Sequence, residues 1–289
     1  MTVHRRTAAM RVHRWARISG VTLTHEPDLE AGRWLVESLG PLGARIGSLV
    51  PSGVEAYARV LHPAEAADGT RARWADIAAT CGTTLHPTAQ LWRLVGDGRW
   101  LGGAPRVGTL DAATFGAVIE ALATHRGAHA DVVAALWEGF GWVDGGGVML
   151  ARAWEGDLSP QERDVAQALV AEHHATAAHG AFPPHVLAAP RLELPGRSYL
   201  LVRGALVDVV SVLAPDGSWS TPTIGSWDQT PNLLWSADRS WCLATEIDLD
   251  STVVGGPAQV IDAVLAHPGL EALRLPADAP LTADADTQN

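Results

Sequence analysis

Three carboxylates alternate along one stretch of the chain, Glu246, Asp248 and Asp250 within SWCLATEIDLD. On an extended strand alternate residues share a face and lie about 6.6 Å apart, so this spacing predicts an acidic ladder opposite Trp241, Leu243, Thr245, Ile247 and Leu249. Such a ladder could hold a divalent cation, meet a basic partner, or raise a carboxyl pKa for acid–base work. It would equally serve as the wet face of an antiparallel strand. Just upstream, WSADRSW places Asp238 and Arg239 in a turn between Trp235 and Trp241. An arginine stacked on an indole keeps its fork free for a carboxylate or phosphate, while the same indoles could simply fill the core. Arg59 and His62 have the i,i+3 spacing of one helix face and form a further candidate pair, with surface or capping roles as the plainer reading.

Other chemistries find no support. Asp248, Asp250 and Thr252 match the first, third and fifth positions of a calcium loop. Val253 then stands where glycine is required and Gln259 where the bidentate glutamate belongs. His125 and His129 are spaced like helical zinc ligands, but Gly127 should end the helix between them, and His173, His174 and His179 have no matching cysteine. No metal and no cofactor is expected. Gly96-Asp-Gly98 and Gly139-Phe-Gly141 lack the third glycine of a dinucleotide fingerprint. Cys242 as a nucleophile would need a histidine that sequence alone does not assign.

Composition narrows the field further. None of the 21 basic residues among the 289 is lysine. Schiff-base chemistry, the phosphate-binding G-x-x-x-x-G-K-[ST] loop and lysine-dependent nucleophiles are therefore excluded. The net charge of −11 disfavours general nucleic-acid binding. It is unevenly spread: residues 1–17 hold five arginines and no acid, whereas the chain from Glu246 onward holds eight acids and one arginine. Arg5-Arg6 is not followed by an apolar export region, and no apolar run approaches a membrane span. Two distant cysteines, Cys81 and Cys242, suggest free thiols in the cytoplasm. Twelve Trp against two Tyr and three Phe must supply most of the aromatic core volume.

The elements that position these residues read as follows. Apolar periodicity predicts helices over Gly32–Leu39, over a stretch opened by Ser52 and Glu55 and running through Tyr57 and Val60, over Arg71–Cys81, from Pro87 through Leu91, Leu94 and Val95, and over Asp111–His125. Ser159-Pro160 with Glu162 opens another helix to about Ala178. Strands are expected at Val132–Trp137, at Arg191–Leu194 and Ser198–Val202 around a Pro195-Gly196 turn, at 240–250, and at Leu270–Leu275, with a helix after Gly255-Gly256-Pro257 through Leu265. The fold class is therefore α+β, with a helical N-terminal half and a mainly antiparallel sheet in the C-terminal half. The expected division is an Arg-rich disordered arm over 1–27, one domain over 28–276 with possible lobes 28–127 and 128–276, and a disordered tail over 277–289.

AYARVLHPA (56–64), Arg73-Trp74, WEGFG (137–141), LPGRSYLLVRG (194–204) and PNLLWSADRSWCLATEIDLDSTVVGG (231–256) resemble an uncharacterised actinobacterial family of cytosolic α+β proteins over about residues 48–276. Leu234, Trp235 and Ser236 stand where that family pattern has tryptophan-tryptophan-proline, which removes one stacking indole. The resemblance brings no activity with it and focuses interest on Asp238–Asp250. PSGVEAYARVL more distantly resembles the proline-then-helix segment of SUKH-type proteins, many of which neutralise toxins. The function expected is thus a non-catalytic cytosolic recognition protein, immunity-like in one version, that binds a basic protein partner through its acidic face. The alternative is a metal-dependent or acid–base hydrolase using Glu246 and Asp248, with Arg239 gripping a small anionic substrate.

Overall fold

The structure, a computed structural model, describes residues 23–41, 43, 45–96, 99–140, 182, 184–213 and 230–289. The chain divides into two compact units, one made of Val21–Trp137 with Pro190–Asn289, the other of Met1–Gly20 with Glu138–Ala189. The second unit is described only at a 3₁₀ turn, Glu138–Phe140, and at a one-turn helix, Pro184–Leu187, besides Phe182, Ala188 and Ala189. The helix expected from Ser159 and most of the loop over 214–231 lie outside the described residues.

The first unit is built on a nine-stranded antiparallel sheet. Its strands in chain order are β1 (Thr24–His25), β2 (Ala56–Leu61), β5 (Asp131–Trp137), β6 (Leu192–Leu194), β7 (Arg197–Ala205), β8 (Leu233–Ser236), β9 (Cys242–Ala244), β10 (Ser251–Gly256) and β11 (Ala272–Leu275), while β3 (Ala64–Glu65) and β4 (Arg71–Ala72) form a separate ribbon. The sheet order is β1-β7-β5-β8-β9-β10-β2-β11, with β6 also beside β7. The helices are α1 (Glu30–Ser38), α2 (Ile46–Leu49), α3 (Trp74–Cys81), α4 (Leu91–Val95), α5 (Ala112–Arg126), α6 (the Pro184–Leu187 turn of the second unit) and α7 (Ala258–Ala266).

The α+β class stands, but the division into a helical half and a sheet half does not. Helices are spread along the chain, and the sheet takes strands from both halves. Lobes at 28–127 and 128–276 fail for the same reason, because β2 from the first inserts between β10 and β11 of the second. The 280s are not a loose tail either. Ala279, Leu281 and Ala285 are buried, and Asp286 accepts from His86 Nε2 at 2.9 Å and from the Gln90 amide at 3.1 Å. Residues 24–25 of the expected arm pair with β7.

The helix expected through Tyr57 and Val60 is strand β2, buried at all six positions. Burial on both faces removes the period-2 alternation by which a strand is usually recognised. Its supposed capping box is two unrelated devices: Ser52-Gly53 is a turn with Gly53 at φ 85°, and the Glu55 carboxylate accepts from the Ala258 amide at 3.0 Å, capping α7 instead. Tyr57, Val133, Ala135, Leu233, Trp235, Cys242, Ala244 and Val253 pack on one face against α1 and α2, and Leu61 joins Trp74, Ile77 and Leu94 of α3 and α4. The alternate residues, among them Ala58, Val60, Ala134, Leu234 and Val254, are buried on the other face, where α7 packs on β2, β10 and β11 and α5 packs on α7. Among the described residues, no helix is long and apolar enough to cross a membrane.

Candidate functional site

The acidic ladder is not a strand face. Strand β9 ends at Ala244, and residues 245–250 form the loop to β10, turned by a hydrogen bond from the Leu249 amide to the Glu246 carbonyl at 3.0 Å. The loop of residues 103–110 crosses it closely. Gly108, at φ 72°, donates its amide to the Leu249 carbonyl at 2.9 Å, and a β-carbon there would stand 2.7 Å from the Ile247 carbonyl oxygen. Freed from the pleat, Glu246 and Asp248 both face Arg197, whereas Asp250 turns to Arg59.

Glu246 is nearly buried and pairs with Arg197, the first residue of β7, through both Nε and Nη2. Asp248, with its side chain 81% exposed, reaches the same Nη2 at 3.6 Å. The guanidinium lies over the Trp137 ring, 5.1 Å from its centroid. Sequence reasoning missed Arg197, although the first residue after the Pro195-Gly196 turn is the basic group that LPGRSYLLVRG offers. Beside this pair is a pocket of about 30 Å³ whose walls include Ser48, Tyr199 and Asn232. Burial, with the Glu246 charge second, raises the Tyr199 phenol and keeps it neutral.

Asp250 turns the other way, to Arg59. That guanidinium is 1% exposed and spends its fork inside the fold: Nε donates to Ser251 Oγ at 2.9 Å, Nη1 to the carbonyls of Ala89 at 2.7 Å and Pro87 at 3.2 Å, and Nη2 to Asp250 Oδ1 at 3.3 Å. It also lies over Trp74, 5.4 Å from the ring centroid. Burial lowers the Arg59 pKa and raises that of Asp250, each opposed by the other's charge.

Arg59 and His62 do not share a face. Three residues apart on and just beyond a strand, they point to opposite sides of the sheet. His62 is 1% exposed; its Nδ1 lies 2.7 Å from the Arg106 carbonyl and its Nε2 3.0 Å from Thr252 Oγ1, which in turn meets Thr245 Oγ1 at 2.9 Å. A carbonyl only accepts, so Nδ1 carries the hydrogen and Nε2 accepts from the Thr252 hydroxyl. Burial lowers the imidazole pKa to about 4, so His62 is neutral at pH 7.

Asp238 and Arg239 do occupy a turn, the tight one between β8 and β9. Trp235 and Trp241 are both buried in the core, and neither stacks against the exposed Arg239. Asp238 accepts from the Ser240 amide at 3.1 Å and pairs with Arg126 at the end of α5 at 3.0 Å. Hydrogen bonds from Ser240 and Ser236 first, then the Arg126 charge, hold its carboxyl at about 2. Arg239 itself has φ 60°. This turn and the 245–250 loop leave opposite ends of the short strand β9, so Arg239 cannot share a substrate with Glu246 and Asp248.

Among the described residues, no three His, Cys, Asp or Glu side chains come together as a metal-ligating set. Cys81 and Cys242 are buried and unpaired, and burial raises the Cys242 thiol pKa, leaving it protonated and unreactive. No protein-family model matches the chain, and neither a curated protein nor a solved structure matches it.

Proposed function

We propose that this is a non-catalytic recognition protein of the cytoplasm, binding a basic protein partner through the corner formed by the 245–250 loop and the β6–β7 hairpin. The observation that carries the reading is a charge imbalance on a braced support. Arg197 is one cation facing two carboxylates, Glu246 and Asp248, and Asp248 stands 81% exposed above it. Glu193, exposed on the same hairpin and bonded by Ser198 Oγ at 2.7 Å, adds a further negative charge. The loop is fixed from below by Arg197 and Arg59, so little ordering entropy opposes docking. A hydrolytic reading of this corner is disfavoured by its size, since about 30 Å³ holds roughly one water and no substrate.

The test is fluorescence anisotropy with a labelled nona-arginine peptide. Asp248→Lys should weaken binding at least about fivefold, the size of one to two exposed ion pairs. Asp76→Lys on the outer face of α3 changes the net charge equally and should have a clearly smaller effect. Equal losses in the two variants would show only general attraction to an acidic body and would overturn the reading.

A further inference from the structure

A second place on the molecule has the shape and chemistry of a ligand site and shares no lining residue with the corner of the 245–250 loop. Between β4, the start of α5 and the turn before β11 lies a cleft of about 300 Å³. That is room for on the order of ten waters, the size of a small organic ligand. Its walls are partly apolar, from Leu61, Pro63 and Leu270, and partly cationic, from Arg71 and Arg73. These two arginines flank Ala72 on extended backbone, so they project to the same side.

The acids at the rim are already committed. Both Glu271 oxygens accept amides at the start of α3, from Trp74 at 2.7 Å and Ala75 at 2.8 Å. Asp111 caps α5, accepting the Thr114 amide at 3.1 Å and its hydroxyl at 2.6 Å. The arginines are not committed in the same way. Arg71 spends Nη2 on Thr114 Oγ1 and, at 3.4 Å, on Asp111. Arg73, with its side chain 58% exposed, makes one long contact from Nε to Glu271 at 3.9 Å. Among the described residues, no hydrogen-bond acceptor reaches Arg71 Nη1 or either Nη of Arg73. Unspent guanidinium donors beside an apolar wall are the elements of a carboxylate grip with a hydrophobic slot.

From this arrangement we infer that the cleft binds a small amphipathic monocarboxylate, its carboxylate held by Arg71 and Arg73 and its apolar body against Pro63 and Leu270. The charge balance selects a monoanion. Two arginines face two fixed carboxylates, so one added negative charge is accommodated between the cations, whereas a phosphate dianion also meets Asp111 and Glu271.

The experiment is titration calorimetry on the full chain with butanoate, hexanoate, benzoate and 3-phenylpropanoate, alongside 3-phenylpropanol and phenyl phosphate. At least one carboxylate should bind with a millimolar or tighter Kd, the alcohol should bind at least tenfold more weakly than its acid, and phenyl phosphate should bind no better than benzoate. Arg73→Met, at an exposed position with one loose contact, should keep the thermal midpoint and cost at least tenfold in affinity. Arg71→Met should cost a similar factor in affinity, with some loss of midpoint from the broken Thr114 bond. Failure of all four carboxylates, affinity unchanged in both variants, or tighter binding of phenyl phosphate than of benzoate would overturn the assignment.

Discussion

Acidification should destabilise the fold through His62, and the size of the effect follows from its burial. In the unfolded chain the imidazole titrates at its ordinary value of 6.5, whereas the folded value is about 4. Below pH 6.5 the unfolded state therefore binds a proton that the folded state refuses. The contribution of His62 to stability is complete above pH 6.5, falls as pH drops through the window from 6.5 to 4, and levels off below it. At about 1.4 kcal/mol per pH unit, the loss is roughly 2 kcal/mol at pH 5 and approaches ~3 kcal/mol at pH 4. The structural cause is specific. A proton on Nε2 would be a buried charge repelled by Arg59, and it would force Thr252 Oγ1, now a donor to that nitrogen, to turn its own hydrogen toward Thr245. Urea unfolding at pH 7 and pH 5 of the wild type and of His62→Gln isolates this residue from the other eleven histidines. The wild type should lose about 2 kcal/mol more than the variant across that interval. Equal losses, or an NMR titration of the His62 ring near pH 6.5, would refute the argument.

Two further outcomes follow from the arginines. Arg59→Lys keeps the charge but gives up the fork, leaving at least two of the Ser251, Pro87 and Ala89 acceptors without a donor, so chemical denaturation should show a loss of about 2–4 kcal/mol; a loss under ~0.5 kcal/mol would mean that the charge alone matters. Arg239→Gly places the residue that tolerates positive φ at φ 60° and should stabilise the protein by about 0.5 kcal/mol, the relief of backbone strain outweighing the greater freedom of glycine in the unfolded chain. A comparable loss of stability in the same assay would show that the Arg239 side chain holds the turn.

What could be read in the sequence was what local physics decides. Pro195-Gly196 demanded a turn, and Gly196 sits at φ 75° between β6 and β7. Gly82 ends α3 in the left-handed region, at the expected end of the Arg71–Cys81 helix. What escaped was decided by partners far along the chain. Strand β2 carries no alternation because both of its faces are buried, and Glu55 looked like the cap of its own helix because nothing local reveals Ala258. The segment 277–289 looks like a polar tail until Asp286 is seen to gather His86 and Gln90. The ladder failed for a related reason: alternation in SWCLATEIDLD is real, but β9 stops after three residues, and period-2 logic has no force in the turn that follows.

Arginine on an indole with its fork free to take a carboxylate was the grip anticipated for Arg239 between Trp235 and Trp241. Among the described residues it is found at two other places, as Arg197 over Trp137 with Glu246 and as Arg59 over Trp74 with Asp250. The two triads clamp the two ends of one loop, from β7 on one side of the β8–β9–β10 meander and from β2 on the other. A lysine could replace neither arginine, since a single ammonium does not stack flat on an indole while reaching two or three separated acceptors. In a chain without lysine, the tryptophan excess is therefore more than core filler, because two of the indoles carry these guanidinium planes. The same economy decides which charge faces outward. Glu246 and Asp250 are spent on holding the loop, and Asp248 is the member of the three left exposed.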